Sequence, residues 1–269
     1  MKKVILITGA SSGMGESAAK LLIKNGHKVY GAARRLEKMN ELEKAGASIL
    51  SLDLTREESV VSCIDEIMKR EGRIDVLVNN AGYGSYGAVE DVPIDVARRQ
   101  FEVNLFGLAR ITQLVLPGMR ENKSGRIVNI SSMGGKIYTP FGAWYHATKH
   151  ALEGWSDCLR LELKEFGIEV VIVEPGAIKT PWADVSVQNL LQTSGDGPYS
   201  HSAKKVADNL TELYSGNSVT DVNVLGQVIA KAATINNPKT RYVKGHMAWL
   251  AMTLRKWMGD RIYDRVMMY

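Results

Sequence analysis

The segment Val4-Ile5-Leu6-Ile7-Thr8-Gly9-Ala10-Ser11-Ser12-Gly13-Met14-Gly15 decides the fold class. Its apolar opening reads as a strand buried on both faces, it stops at a glycine turn, and a stretch of helical period follows. Glycines in such a turn let the chain bend tightly and let backbone N–H groups approach a pyrophosphate. They also aim the positive end of the next helix at that group. The spacing G-x-x-x-G-x-G is neither G-x-G-x-x-G nor a phosphate loop, since no Lys-Ser/Thr pair follows the last glycine. Gly9, Ser11, Ser12, Gly13, Met14 and Gly15 are thus expected to bind the phosphate half of a dinucleotide.

Outward from this turn, short β-branched runs alternate with longer stretches of helical period. Strands are expected at Val4–Ile7, Lys28–Ala32, Ser48–Leu50, Val76–Val78, Arg126–Ile130, Glu169–Val173 and Arg241–Val243. Helices are expected at Gly13–Asn25, Leu36–Ala45, Glu57–Arg70, Pro93–Arg120 and Gly142–Phe166, with two more in Ala203–Thr234. This is the order of an α/β, Rossmann-type, doubly wound parallel sheet of about seven strands with helices on both faces. Thr55-Arg56-Glu57-Glu58 fits a capping box, and Pro93 suits a first turn. Residues 1–269 read as one dinucleotide-binding and catalytic domain, since no linker-like stretch divides them. Pro181–His201 lacks clear strand or helix punctuation and carries Trp182, Leu190, Leu191 and Tyr199, so a substrate lid is expected near 181–215.

The 269 residues are 45% hydrophobic and 23% charged, which argues against disorder. No apolar run approaches the roughly 18 residues of a membrane span. Met1-Lys2-Lys3 imitates the start of a secretory leader, but the apolar run ends at Thr8-Gly9, short of the roughly 7–15 residues required. Cys63 and Cys158 are too few and too unpatterned for a disulfide framework or a zinc site, and they fit a reducing cytoplasm. The net charge of +5 comes from 34 basic and 29 acidic residues without a basic block. That balance points to anionic ligands rather than nucleic acid.

The second strand runs into Ala33-Arg34-Arg35, where a dinucleotide site that prefers NAD would carry an acidic residue. Guanidinium groups instead suit a 2′-phosphate bidentately, so Arg34 and Arg35 favour NADP. Further along, Tyr145-His146-Ala147-Thr148-Lys149 lies in a helical stretch, where positions i and i+4 share a face. An ammonium beside a phenol favours the phenolate, which would lower the tyrosine pKa from about 10 and make a proton donor and acceptor. Ser132 sits at the end of an expected strand, where the ligand crevice of this fold opens. His146 and His150 flank the pair but are expected to point away from its face.

With these residues in view, the chain resembles single-domain members of the short-chain dehydrogenase/reductase family along nearly its whole length. The likeness rests on Thr8-Gly9-x-x-x-Gly13-x-Gly15, Asp53, Asn79-Asn80-Ala81-Gly82, Asn104, Ser132, Tyr145, Lys149 and Pro175-Gly176 through Thr180. The Asn79–Gly84 and Glu174–Thr180 stretches resemble the hydroxysteroid- and retinol-dehydrogenase-like branch.

The resemblance implies four catalytic residues. Tyr145 would exchange a proton with the substrate oxygen, and Ser132 would hydrogen-bond that oxygen. Lys149 would bind the nicotinamide ribose, and Asn104 would hold a water linked to Lys149. It also implies that Asp53 and Leu54 lie at the adenine and that Asn80, Ala81 and Gly82 close on the adenine ribose. Pro175, Gly176, Ile178 and Thr180 would border the nicotinamide. The implied activity is NADP-dependent interconversion of a ketone or aldehyde and its alcohol. A non-catalytic NADP-sensing regulator and an epimerase or dehydratase are the competing functions.

A substrate pocket is expected from Tyr83–Tyr86, Met133–Phe141, Trp144 and the lid, which makes it aromatic and suited to a small hydrophobic carbonyl or alcohol. The extension Met247–Tyr269 carries apolar positions at helical spacing beside Arg255, Lys256, Arg261 and Arg265. It reads as packed tail, cover for the substrate mouth, or a peripheral membrane contact. The resemblance implies a homodimer or homotetramer, with Phe101, Leu105, Leu108, Trp155, Leu159 and Leu163 divided between core and interface.

Overall fold

Every residue of the first strand, β1 (Val4–Thr8), is buried in the computed structural model, which describes residues 2–216 and 218–268. Ile5 and Ile7 face one core layer and Val4 and Leu6 the other, the period-two division of a strand covered on both sides. The chain then alternates as expected: α1 (Gly13–Lys24), β2 (Lys28–Ala33), α2 (Asn40–Lys44), β3 (Ser48–Ser51), α3 (Glu57–Glu71), β4 (Val76–Asn79), α4 (Ile94–Phe101), α5 (Gly107–Glu121), β5 (Gly125–Ile130), α6 (Ala143–Glu162) and β6 (Ile168–Pro175). After these come α7 (Trp182–Ser194), α8 (Ser200–Ser215), α9 (Val222–Thr234), β7 (Arg241–Lys244), α10 (Ala248–Met258) and α11 (Asp260–Met268).

The strands form one seven-stranded sheet in the order β3-β2-β1-β4-β5-β6-β7, with all pairs parallel. The order reverses direction between β1 and β4. That is the switch point where a crevice opens beyond the strands' carboxyl ends. α1 and α9 cover one face, and the side chain a residue larger than Gly226 would carry has no room against Ser17. α3, α5 and the end of α6 cover the other face.

Four expectations differ from the structure. Pro181–His201 is not irregular: α7 occupies most of it and α8 starts within it. Its buried stripe is Ala183, Ser186, Leu190 and Ser194, small or polar residues that leave little apolar period to read. The stretch Pro93–Arg120 is not one α-helix, because the segment Glu102–Phe106 between α4 and α5 is a π-helical turn. Thr55 does not cap α3, since its N–H and hydroxyl both donate to Asp53 Oδ1, at 3.0 and 2.8 Å, and Arg56 takes the cap position. Pro93 is the residue that precedes the first turn of α4. Tyr269, the last residue of the expected extension, lies outside the described residues.

Candidate active site

Helix α6 carries Tyr145 and Lys149 on one face, and both are buried, at 8% and 7% exposure. Lys149 Nζ donates to the Ile130 carbonyl at 2.8 Å, which ties the helix to the end of β5. Immediately beyond, Ser132 Oγ accepts from Gly134 N–H at 3.0 Å and holds a short turn at Met133–Gly135. A Cβ at Gly134 would stand 3.2 Å from the Tyr145 ring, so glycine lets the serine loop come this close.

Burial pushes the Tyr145 phenol up to about 12, against the opposing hydrogen bond of Ser132. Burial brings the Lys149 ammonium down to about 8, against the opposing charge of Glu153. The expected depression of the tyrosine is therefore not met among the protein's own groups: desolvation outweighs the Ser132 hydrogen bond, the one opposing influence on the phenol.

His146 does not point idly away. It is buried, its Nε2 accepts from Thr139 N–H at 3.1 Å, and its Nδ1 is 2.9 Å from the Gly134 carbonyl. Since a backbone N–H donates to Nε2, the ring hydrogen belongs on Nδ1 and donates to Gly134. The ring fixes the serine loop from both ends, and burial keeps its pKa below the usual value. His150 is exposed, with Nδ1 2.9 Å from the His146 carbonyl.

Asn104 lies in the π turn at 1% exposure. Its amide donates to the Tyr83 carbonyl at 2.9 Å and to Thr148 Oγ1 at 3.1 Å, while its Oδ1 accepts from Tyr83 N–H at 3.1 Å. A π turn re-aims one side chain inward, a frequent device at functional sites. Here it brings Asn104 between the loop after β4 and the helix of Tyr145 and Lys149. A Cβ on Gly82 would meet Asn104 Oδ1 at 3.2 Å and Lys149 Nζ at 3.7 Å, so the expected Gly82 also adjoins the pair.

Across the crevice lies the glycine turn. Gly9 and Gly13 adopt φ of 67° and 61°, values that exclude most side chains, and a Cβ on Gly9 would strike the Ala81 backbone at 2.8 Å. Asn80 secures the turn by donating from its amide to the carbonyls of Thr8 and Gly9, at 3.0 and 3.1 Å. Thr8 Oγ1 accepts from the N–H groups of Asn80 and Ala81 in return. Ser12 stands at the N-cap of α1 without a side-chain hydrogen bond to the helix, so the first N–H groups, at Gly13, Met14 and Gly15, remain donors for a phosphate. Ser11 is half-buried beside them, and Ser12 itself is exposed.

Arg34 and Arg35 are exposed just past β2 and make no ion pair among the described residues. Burial acts to raise the Asp53 carboxyl, but the two Thr55 bonds and the charges of Arg34 and Arg99 hold it below its usual range. Arg99 on α4 is a cation of this corner that sequence reasoning missed. Nothing in a helix pattern shows that it faces Asp53. Leu54 is buried, and its carbonyl lies where a side chain at position 107 would need to be, which accounts for Gly107.

Thr180 closes the crevice from β6: its methyl would lie 3.5 Å from a Cβ on Gly13. Pro175 ends β6, Gly176 N–H donates to the Lys244 carbonyl at 2.9 Å, and Ile178 is buried in the core. A cradle of glycines at Gly9 and Gly13, free N–H groups at a helix start and two unpaired guanidiniums fits a dinucleotide that carries several phosphates.

Above Tyr145, α7 and α8 bring aromatic rings together. The Trp182 ring centre is 5.4 Å from Tyr145 and 5.9 Å from Tyr86, and Tyr86 is 6.1 Å from Tyr145. Phe141 and Val187 pack on the same cluster. A cleft of about 540 Å³ runs between α7 and α8 beside Lys179, Thr180, Asp184, Val187 and Tyr214. Tyr214 was not anticipated, because an aromatic on an amphipathic helix reads as ordinary core. The expected pocket residues Met133 and Tyr138 are absent from the aromatic cluster and pack instead against Ala251 and Tyr263 of the last two helices.

A description of the family named short chain dehydrogenase matches residues 3–190. The chain is 34% identical over 262 residues to a 3-ketodihydrosphingosine reductase of Bacteroides thetaiotaomicron, covering 97% of this chain and 94% of that one. Among solved structures, a short-chain dehydrogenase from Streptomyces avermitilis superimposes with a TM-score of 0.79, at 35% identity and with 96% of each chain covered. A serine dehydrogenase complexed with NADP+ superimposes with a TM-score of 0.78, at 26% identity, covering 90% of this chain and 94% of the other.

Proposed function

The chain belongs to the short-chain dehydrogenase family, and from that premise we propose that it is an NADP-dependent oxidoreductase interconverting a hydrophobic ketone or aldehyde and the corresponding alcohol. The observation that carries this reading is the buried Tyr145–Lys149 pair on one face of α6, beside the Ser132 loop and across the crevice from the glycine turn. NADPH, when bound, supplies the hydride. Tyr145 gives its hydroxyl proton to the carbonyl oxygen, and Ser132 donates a hydrogen bond to the same oxygen as charge develops there. Lys149, near neutral titration at about 8, replenishes charge and proton beside the phenol. Asn104 keeps the Tyr83 loop and α6 at a fixed separation.

Arg34 and Arg35 support NADP over NAD; similar structures are known with NADP+ and with NAD, so the two arginines alone carry the preference. The aromatic walls support an apolar substrate, as does likeness to a 3-ketodihydrosphingosine reductase. Free cysteines at buried Cys63 and exposed Cys158 suit the reducing compartment expected for such an enzyme.

Tyr145→Phe tests the assignment. The variant should lose about 10²–10⁴-fold in turnover of ketones with NADPH, because it removes the proton donor. Its NADPH affinity, measured by fluorescence titration, should stay near that of the native protein. Undiminished turnover in a folded variant would refute the mechanism.

A further inference from the structure

We propose that the outer face of the last two helices seats on an anionic lipid surface, with Trp249 and Trp257 at the headgroup level. The inner face of this pair is fully used. Ala248, Ala251 and Tyr263 are buried, Met252 and Met267 pack beside them, and Tyr263 lies at 1% exposure against Tyr138. Asp264 accepts from the Tyr138 hydroxyl at 2.8 Å, and the Arg255 guanidinium lies over the Tyr138 and Tyr263 rings while pairing with Asp260 at 2.7 Å. The helices are thus docked, and their remaining apolar residues are not needed for docking.

Those remaining residues are large and turned outward. Trp249 is 71% exposed, Trp257 76% and Met268 72%, with Leu250, Ile262 and Val266 also exposed. On α10, Trp249, Leu250 and Trp257 fall at i, i+1 and i+8, within one face of the helix. Ile262 and Val266 repeat at i and i+4 on α11. Six exposed large apolar side chains, two of them tryptophans, on two consecutive helices are unusual on a surface that meets only water.

Charge decides what covers it. Lys256, Arg261 and Arg265 are exposed around the patch, whereas the acidic residues of this pair of helices are engaged by Arg255 and the Tyr138 hydroxyl. A second copy laid face to face on this surface would bring three cations against three cations. A layer of anionic headgroups over acyl chains matches both the cations and the indoles. No helix among the described residues is long and apolar enough to cross a membrane, so the contact is one of lying on the surface. The inner face rests on Met133, Ile137 and Tyr138, the loop that follows Ser132. A lipid surface at α10 and α11 would therefore adjoin the turn that begins at Ser132, which, on the proposed function, suits an apolar substrate drawn from that surface.

The test is sedimentation of the full chain with vesicles of phosphatidylcholine alone and of phosphatidylcholine mixed with phosphatidylglycerol. The native protein should sediment with the mixed vesicles, be released by high salt, and show a blue shift of tryptophan emission on binding. Trp249→Glu with Trp257→Glu should abolish sedimentation. Lys256→Gln with Arg261→Gln and Arg265→Gln should lower partitioning to mixed vesicles on the order of a hundredfold, at about fivefold for each cation near the surface. All five positions are exposed, so unchanged thermal unfolding is expected for both variants. Native protein that sediments with neither vesicle, or variants that sediment like the native protein, would overturn the proposal. So would a native mass in light scattering that falls in the tryptophan variant, since the face would then belong to a second copy.

Discussion

On the proposed reading Arg34 and Arg35 would carry the cofactor preference, and both side chains are exposed, so that preference would be separable from folding. Arg34→Ala with Arg35→Ala should weaken NADPH binding by about 1.5–3 kcal/mol, the worth of lost charge-assisted bonds, and leave NADH binding unchanged. Equal affinities of native and variant protein for NADPH would remove the assignment. A second residue acts from inside. Glu174 is fully buried on β6, where burial first, and the Glu153 charge next, push its carboxyl up to about 7 despite Arg241 and Lys136 nearby. Arg241 Nε lies 3.3 Å from it, and Asp157 holds the same guanidinium at 2.7 Å. Because the fold favours the protonated form, this stabilisation is complete below about 4.5 and fades as pH rises toward about 7. Glu174→Gln keeps the shape without the charge, so its thermal midpoint should fall less than the native one between about pH 5 and pH 7.5. Parallel curves would show that Glu174 titrates normally. The arginines and the Tyr145–Lys149 pair were legible in the sequence because each depends on local spacing. The Glu153–Glu174–Arg241 cluster was not, because α6, β6 and β7 meet only in the folded chain.

At the scale of elements, the strands and most helices followed from periodicity, since both faces of the sheet are buried and each strand is a short apolar run. Two elements escaped for opposite reasons. The π turn at Asn104 has no hydropathy signature, as one extra residue per turn changes which side chain points inward and not how apolar the segment is. Helix α7 hid because its buried stripe contains two serines, which are satisfied locally: Ser186 donates to the Trp182 carbonyl at 2.9 Å and Ser194 accepts from Ala88 N–H at 2.9 Å. That second bond also latches α7 to the loop below it. Trp182, at the start of α7, lies against both Tyr86 and Tyr145. Trp182→Ala should therefore enlarge the space over Tyr145 without touching the crevice of the glycine turn. In competition assays, the ratio of kcat/KM for a bulky aromatic ketone to that for a small aliphatic ketone should rise by about tenfold or more, with NADPH affinity unchanged. An unaltered ratio would place substrate selection away from Trp182.

Across the whole molecule, the sequence offered six apolar residues for either core or interface, and the fold divides them. Leu108, Leu159 and Leu163 are buried in this chain, whereas Phe101, Leu105 and Trp155 are only partly covered. Phe106 and Leu161, which the sequence reading had passed over, are 54% and 70% exposed on the π turn and on α6. Leu159 and Leu163 face inward one turn of helix apart, so Leu161 between them faces outward and is left largely uncovered among the described residues. Helices α5 and α6 in the family commonly meet those of a second copy, and a standard interface of about 800 Å² per partner is well within the reach of two such helices. The expected outcome is a homodimer or homotetramer at micromolar concentration in light scattering. Phe106→Asp with Leu161→Asp should reduce it to the monomer mass, because each carboxylate would be desolvated without a partner in the joined state. Both positions are exposed in the single chain, so cooperative unfolding should persist in the variant. A native chain of monomer mass would overturn the expectation, and an oligomer indifferent to both substitutions would move the interface to another face.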